Sequence, residues 1–212
     1  MTGDADRRFV SRAGEKLEAA LSAFGLDVAG AACADLGCNV GGFTDCLLSH
    51  GARKVYAVDT GYGALAWRLR KSDRVVVMER TNALDCPVPE PVDLVAIDVA
   101  WTPQERIAPA AARWLKAPGP AAPAGSCQGP QAHANPGGPG GCIVSLLKPH
   151  YELQKLRGVK PHAVLSDQQA RAVCLEVCQR LAAGGLPPAA VMPSVLRGKG
   201  GNLEFLLLLR HP

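Results

Sequence analysis

Apolar residues recur along this chain in short unbroken runs separated by stretches of helical period, the pattern of a parallel sheet covered on both faces. Runs near 32–36, 54–58, 74–78 and 92–97 predict four strands, with helices near 42–50 and 62–71 between them. Ahead of the first run, Ser11 precedes Leu17, Leu21 and Phe24, a stripe that stops before Gly25 and predicts an amphipathic helix over about 12–24. After the fourth run, Thr102-Pro103-Gln104-Glu105 reads as a helix start, with Thr102 as cap and Glu105 completing a capping box. Pro109 should kink or split that helix. Strand character resumes from Cys142 to Leu147, and Ser166-Asp167-Gln168-Gln169 is a second capping box, opening a helix to about Ala183. Ala189–Leu196 and Leu203–Leu209 are apolar runs joined by the turn 197–202, so the last strand should lie antiparallel to its neighbour. The alternation predicts an α/β fold with a mostly parallel sheet and an antiparallel last strand.

Length and composition refine this picture. At 212 residues and 48% hydrophobic content, a single domain over 1–212 is expected. Residues 117–141 are dense in proline and glycine, with too few large apolar groups to offset ordering entropy, and read as a flexible insertion. The longest apolar stretch, Phe205–Leu209, falls far short of the roughly 20 residues a membrane helix needs. Most of the eight cysteines sit within expected strands and helices, and the start Met1-Thr2-Gly3-Asp4 has no apolar signal region, so a reducing cytoplasm is expected. A formal charge of +4 suits a polyanionic partner without requiring one.

The most informative stretch runs from Asp35 to Thr44, where the first apolar run ends in an acid and a glycine-rich turn opens a helix. Gly37, Gly41 and Gly42 do not keep the G-x-G-x-x-G spacing of a pyrophosphate cradle. S-adenosylmethionine fits better, because a ligand without phosphate needs close backbone approach, a carboxylate for its ammonium and another for its ribose. Asp35 can supply the first, and Asp59, ending the next run, can accept from both ribose hydroxyls.

Charged residues also mark the ends of later runs. Asp98 ends the fourth run and so falls at the carboxyl edge of the sheet, beside the ligand crevice. Lys148 ends the fifth, where the preceding apolar residues partly desolvate its ammonium, and a lysine so placed can act as a base. Glu204 opens the final, reversed strand, which brings it to the same edge, and Lys16 can join if the first helix docks over the crevice. Each has a plainer reading: Asp98 as a strand-end cap, Lys148 as a solvated terminus, Lys16 facing water beside its stripe, and Glu204 facing solvent by alternation.

The segments 10–17, 35–44, 55–63, 97–99, 147–149 and 201–205, taken in this order and spacing, resemble the FtsJ-like ribose 2′-O-methyltransferases, most closely the TlyA (hemolysin A-like) branch. The resemblance covers nearly the whole chain outside 117–141. It implies a Rossmann-like class I S-adenosylmethionine-dependent methyltransferase acting on RNA, with ribosomal RNA or a ribosomal particle as partner. It further implies a catalytic tetrad at Lys16, Asp98, Lys148 and Glu204, and cofactor contacts at Asp35, Gly37, Gly41, Gly42, Phe43, Thr44, Asp59, Asp98 and, beside the adenine, Asn82.

The sequence departs from that pattern in places. Cys38-Asn39-Val40 stands where relatives more often have small residues or a proline, and Ala100-Trp101 where the branch is similar to Ser-Phe. The branch usually carries a small N-terminal RNA-binding domain, whereas about ten residues precede the first helix here, so weak affinity for naked RNA is expected. Cations near the crevice that can meet phosphates are Arg7, Arg8, Arg12, Arg197 and Lys199, with Arg68, Arg70, Lys71 and Arg74 on another edge; a solvated basic face is the plainer alternative.

Other chemistries fit less well. Asp98-Val99-Ala100-Trp101 lacks the paired prolines of base-nitrogen methyltransferases, and Cys86-Pro87 reverses the order expected of carbon-5 methylation. Cys174 and Cys178 share a helix face with Leu181 and read as core, and no metal site is expected. A noncatalytic cofactor-binding or RNA-binding subunit, or a haemolysin-like membrane-active protein, are the alternatives from other classes.

Overall fold

The computed structural model describes residues 8–100, 102–117, 140–158 and 164–210. Seven strands form one sheet in the order β3-β2-β1-β4-β5-β7-β6. They are β1 (Ala32–Leu36), β2 (Lys54–Val58), β3 (Val75–Met78), β4 (Leu94–Ile97), β5 (Cys142–Leu147), β6 (Pro188–Pro193) and β7 (Phe205–Arg210). Pairings from β3 through β5 are parallel, and β7 runs antiparallel to both β5 and β6, as expected from the sequence.

Burial on both faces explains why the central strands read as continuous apolar runs: every residue of β1, β4 and β5 is buried. On one face Ala32, Ala34, Leu36, Val95, Ile97, Ile143 and Leu147 pack with α4 (Gln104–Ala112) and α6 (Asp167–Ala183). On the other, Cys33, Leu94, Ala96, Val144 and Leu146 join a core with α1 (Ala13–Ala23) and α2 (Gly42–Ser49). The edge strand β6 alternates in exposure and has prolines at both ends, where a missing N–H costs no ladder bond.

Four local expectations need correction or extension. The helix expected over 62–71 shrinks to a single turn, α3 (Trp67–Arg70), because the Gly61 and Gly63 N–H groups are held by the carboxylates of Asp59 and Glu79 instead of entering a helix. Thr102 caps nothing: α4 has Pro103 at its N-cap, and the Gln104 N–H donates to Glu152 Oε1 at 2.9 Å. A carboxylate from 48 residues away thus takes the place of the local box. Pro109 does not split α4, which runs through it to Ala112. A helix not expected from the sequence, α5 (Pro149–Arg157), follows β5, with proline in the first turn where its missing N–H is harmless.

The Ser166–Gln169 capping box on α6 forms in full. Most of the flexible insertion expected over 117–141 lies outside the described residues. Its stem is closed, with the Gly141 N–H donating to the Lys116 carbonyl at 3.3 Å. No helix among the described residues is long and apolar enough to cross a membrane.

Candidate active site

The parallel strands all release their chains on one edge, and β7 begins there. The Leu36↔Val58 and Leu36↔Ile97 registers set Gly37, Asp59 and Asp98 side by side just beyond three adjacent strands. The Leu147↔Phe205 register makes Lys148 and Glu204 next neighbours across β5 and β7.

The glycine turn is shaped by close approach and by handedness. Gly37 has φ +88°, and a Cβ there would lie 2.7 Å from the Asp98 carbonyl oxygen and 2.9 Å from Val99 Cγ1. Gly41, at φ +97°, is the N-cap of α2 in the left-handed region. Asn39 is also left-handed, at φ 48°, a conformation its short polar side chain tolerates, and its N–H donates to Asp59 Oδ2 at 2.8 Å. This backbone link from the turn to Asp59 had no sequence signal beyond the asparagine itself. Gly42 faces α1, where a Cβ would lie 2.9 Å from that of Ala13. The Phe43 ring is buried in the core beneath the turn.

Asp35 is fully buried. The Thr44 N–H and hydroxyl donate to its Oδ2 at 2.8 and 2.7 Å, while Oδ1 has no hydrogen-bond partner. Burial pushes its carboxyl up to about 7, the Thr44 hydroxyl opposes that rise, and the neighbouring charge of Asp98 adds to it. A buried carboxylate oxygen without a donor is costly, and an ammonium is the donor that would relieve it. The amino-acid end of S-adenosylmethionine therefore fits the residues present. Asp59 is fixed by the N–H groups of Asn39 and Gly61, at 2.8 and 2.7 Å, and each carboxylate oxygen keeps acceptor capacity for a ribose hydroxyl. Exposed Asn82 follows β3, on a loop tied to β2 by the Thr81 N–H to the Asp59 carbonyl at 2.9 Å.

The four proposed catalytic side chains form two ion pairs. Lys16 Nζ meets Glu204 Oε2 at 2.5 Å, with both residues buried. The lysine does not face water beside its stripe, because α1 docks against α2 and the sheet. Lys148 Nζ meets Asp98 Oδ1 at 2.5 Å without hydrogen-bond alignment, and this pair is more open, at 16% and 22% exposure. Next to it, the His150 Nδ1 is buried without a partner, the ring lies 4.1 Å from that of Tyr151 at a tilt of 40°, and burial holds its pKa down with help from Lys148. His150 escaped the sequence reading because nothing announced α5.

The expected phosphate-binding cations divide sharply. Arg8 pairs with Glu18, and Arg197 with both oxygens of Asp167. Arg68 pairs with Asp45 and Arg70 with Glu79, while Arg74 donates to the carbonyls of Leu48 and Ala52. Arg12 and Lys199 are exposed without a salt bridge to a described residue, and Arg7 lies outside the described residues.

The FtsJ-like methyltransferase family matches this chain over residues 9–211. The chain is 40% identical to the 16S/23S rRNA (cytidine-2′-O)-methyltransferase TlyA of Mycobacterium tuberculosis, over 98% of this chain and 70% of that one. Hemolysin A of Brachyspira hyodysenteriae is 32% identical, over 94% of this chain and 75% of its own. A crystal structure described as a hemolysin from Lactococcus lactis superimposes with a TM-score of 0.79 at 30% identity, covering 97% of this chain and 89% of that one. A parallel sheet with one reversed strand, a glycine turn beside an orphaned carboxylate and a match over nearly its full length lead to one conclusion: this chain belongs to the FtsJ-like methyltransferases.

Proposed function

We propose that this protein methylates the ribose 2′-hydroxyl of a cytidine in ribosomal RNA, using S-adenosylmethionine. The observation that carries the reading is the pair of ion pairs, Lys148–Asp98 and Lys16–Glu204, at the same sheet edge as Asp35 and Asp59. When bound, the cofactor supplies an electrophilic sulfonium methyl. Asp35 would hold its ammonium and Asp59 its ribose hydroxyls. Lys148, as the neutral amine, would orient the hydroxyl and take its proton as the oxygen–methyl bond forms and the sulfur–methyl bond breaks, with S-adenosylhomocysteine leaving. Asp98 fixes the lysine's position, and the buried Lys16–Glu204 pair fixes the adjacent wall.

Most of the rate then comes from placement. Orienting two bound reactants lowers a barrier by about 7–11 kcal/mol, and a general base adds about 10²- to 10⁴-fold. Lys148→Ala should therefore bind cofactor like the parent while losing transfer of labelled methyl groups to ribosomal RNA. Unchanged transfer would remove the lysine from the reaction.

A further inference from the structure

Two large aromatic side chains stand out in solvent beside the cofactor edge. Tyr62 is 72% exposed and Trp67 is 68% exposed, whereas Trp114 and Phe43 are fully buried. Each exposed ring carries a cation: the Arg80 guanidinium lies 4.3 Å from the Tyr62 centroid, and Lys71 Nζ lies 4.9 Å from that of Trp67. Unlike Arg68 and Arg70, these two cations make no salt bridge to a described residue.

Both rings belong to the segment between Asp59 and Lys71, which is clamped to the site at several points. The Gly61 N–H donates to Asp59 Oδ1, the Arg80 N–H to the Gly61 carbonyl at 3.0 Å, and the Ala66 N–H to the Val40 carbonyl at 3.1 Å. Leu65 and Leu69 pack so closely on Gly41 that a Cβ there would strike them. The aromatic pair is thus rigidly indexed to the glycine turn, on the β2–β3 side of the edge. That is about three strand spacings, ~14 Å, from the β5 side that carries Lys148.

We infer that Tyr62 and Trp67, with Arg80 and Lys71, form a stacking platform for unpaired bases of the RNA that flank the modified nucleotide. The inference rests on the RNA methyltransferase reading and extends it by placing the neighbouring nucleotides. Exposed rings stack on any base, and adjacent free cations meet the phosphates between bases, the pairing that single-strand grooves use. A protein partner would more often need an apolar surround, whereas each of these rings lies against a cation. Each ring remains largely exposed beside its cation, which leaves surface for a base to stack on.

The test uses the full chain with a fluorescein-labelled, unstructured 12-nucleotide RNA, together with methyl transfer to ribosomal RNA and S-adenosylmethionine affinity. The paired substitution Tyr62→Ala with Trp67→Ala should weaken oligonucleotide binding by about 10- to 100-fold and leave cofactor affinity unchanged. Trp67→Phe should restore most of the loss. Lys71→Ala and Arg80→Ala should each lower the salt dependence of binding by about one counterion. Parent-like RNA affinity in the double alanine variant overturns the platform, as does a loss confined to cofactor binding, which would make the rings an adenine cover. If the parent chain transfers no methyl to RNA, it is the functional reading that fails.

Discussion

Asp35→Asn tests the site where stability and binding oppose each other. Burial raises the Asp35 carboxyl from an ordinary value near 3.8 to about 7, so the folded protein holds this proton more tightly than the unfolded chain does. The sign follows: between roughly pH 4 and 7 the folded state carries the extra proton, so the stability this gives is full below about pH 4, declines across that window and is gone once pH has risen through about 7. A difference of about 3 pH units corresponds to about 4 kcal/mol as an upper bound on the cost of the buried anion. The amide removes the charge and keeps an acceptor for Thr44, so the variant should melt a few degrees higher at pH 8, at about 2–4 °C per kcal/mol for a domain of this size. At pH 5 the gap should shrink to about half or less, because the unfolded chain's Asp35 is already ionised there, and the melting temperatures should converge only below about pH 4. Cofactor affinity should move the other way. Losing a charge-assisted bond of about 1.5–3 kcal/mol weakens S-adenosylmethionine by about 10- to 150-fold at pH 8. The parent's own affinity should fall as pH drops below about 7. Calorimetric titrations at pH 6 and 8, paired with thermal melts at pH 5 and 8, measure both arms. Equal cofactor affinity in parent and variant at pH 8 would refute Oδ1 as the ammonium's acceptor.

Two further perturbations probe the scaffold of the site. Glu204→Gln strands the buried Lys16 ammonium and should lower unfolding free energy in urea by about 3–5 kcal/mol, whereas a Lys16→Met, Glu204→Leu double variant should lose much less stability while transfer is abolished. Gly37→Ala places a Cβ against the Asp98 carbonyl at a positive φ and should cost about 1–3 kcal/mol in urea together with most of the cofactor affinity; a parent-like variant would show that the turn has room.

The sequence disclosed the elements whose signals are local. Apolar runs placed the strands because both sheet faces are buried, and charged residues ending those runs marked Asp59, Asp98 and Lys148 as edge residues. Where a distant group intervened, local signals misled. Thr102 looked like a cap, but Glu152, itself pushed up to about 7 by burial, holds the start of α4. The helical pattern over 62–71 gave way to glycine contacts with Asp59 and Glu79. Lys16 could be assigned only through resemblance, because its partner lies 188 residues away and nothing on α1 reports which strand it will meet.

The two ion pairs differ in how open they are to solvent. Lys16 and Glu204 are almost sealed from solvent and link the first helix to the last strand, so a substrate entering there would have to displace a buried pair at a cost of several kcal/mol. Lys148 and Asp98 are open enough for another group to approach, and their contact lacks hydrogen-bond alignment, so the lysine amino group can turn toward a hydroxyl and find its counter-charge beside it once it holds the proton. The same β5–β7 ladder carries both lysine systems to the edge, and Leu147 paired with Phe205 sets their spacing by backbone bonds instead of by flexible side chains. The reversed strand therefore has a structural consequence: its entry, not its exit, lies at the edge where the parallel strands end, which lets a residue near the end of the chain lock a helix from its beginning beside Lys148.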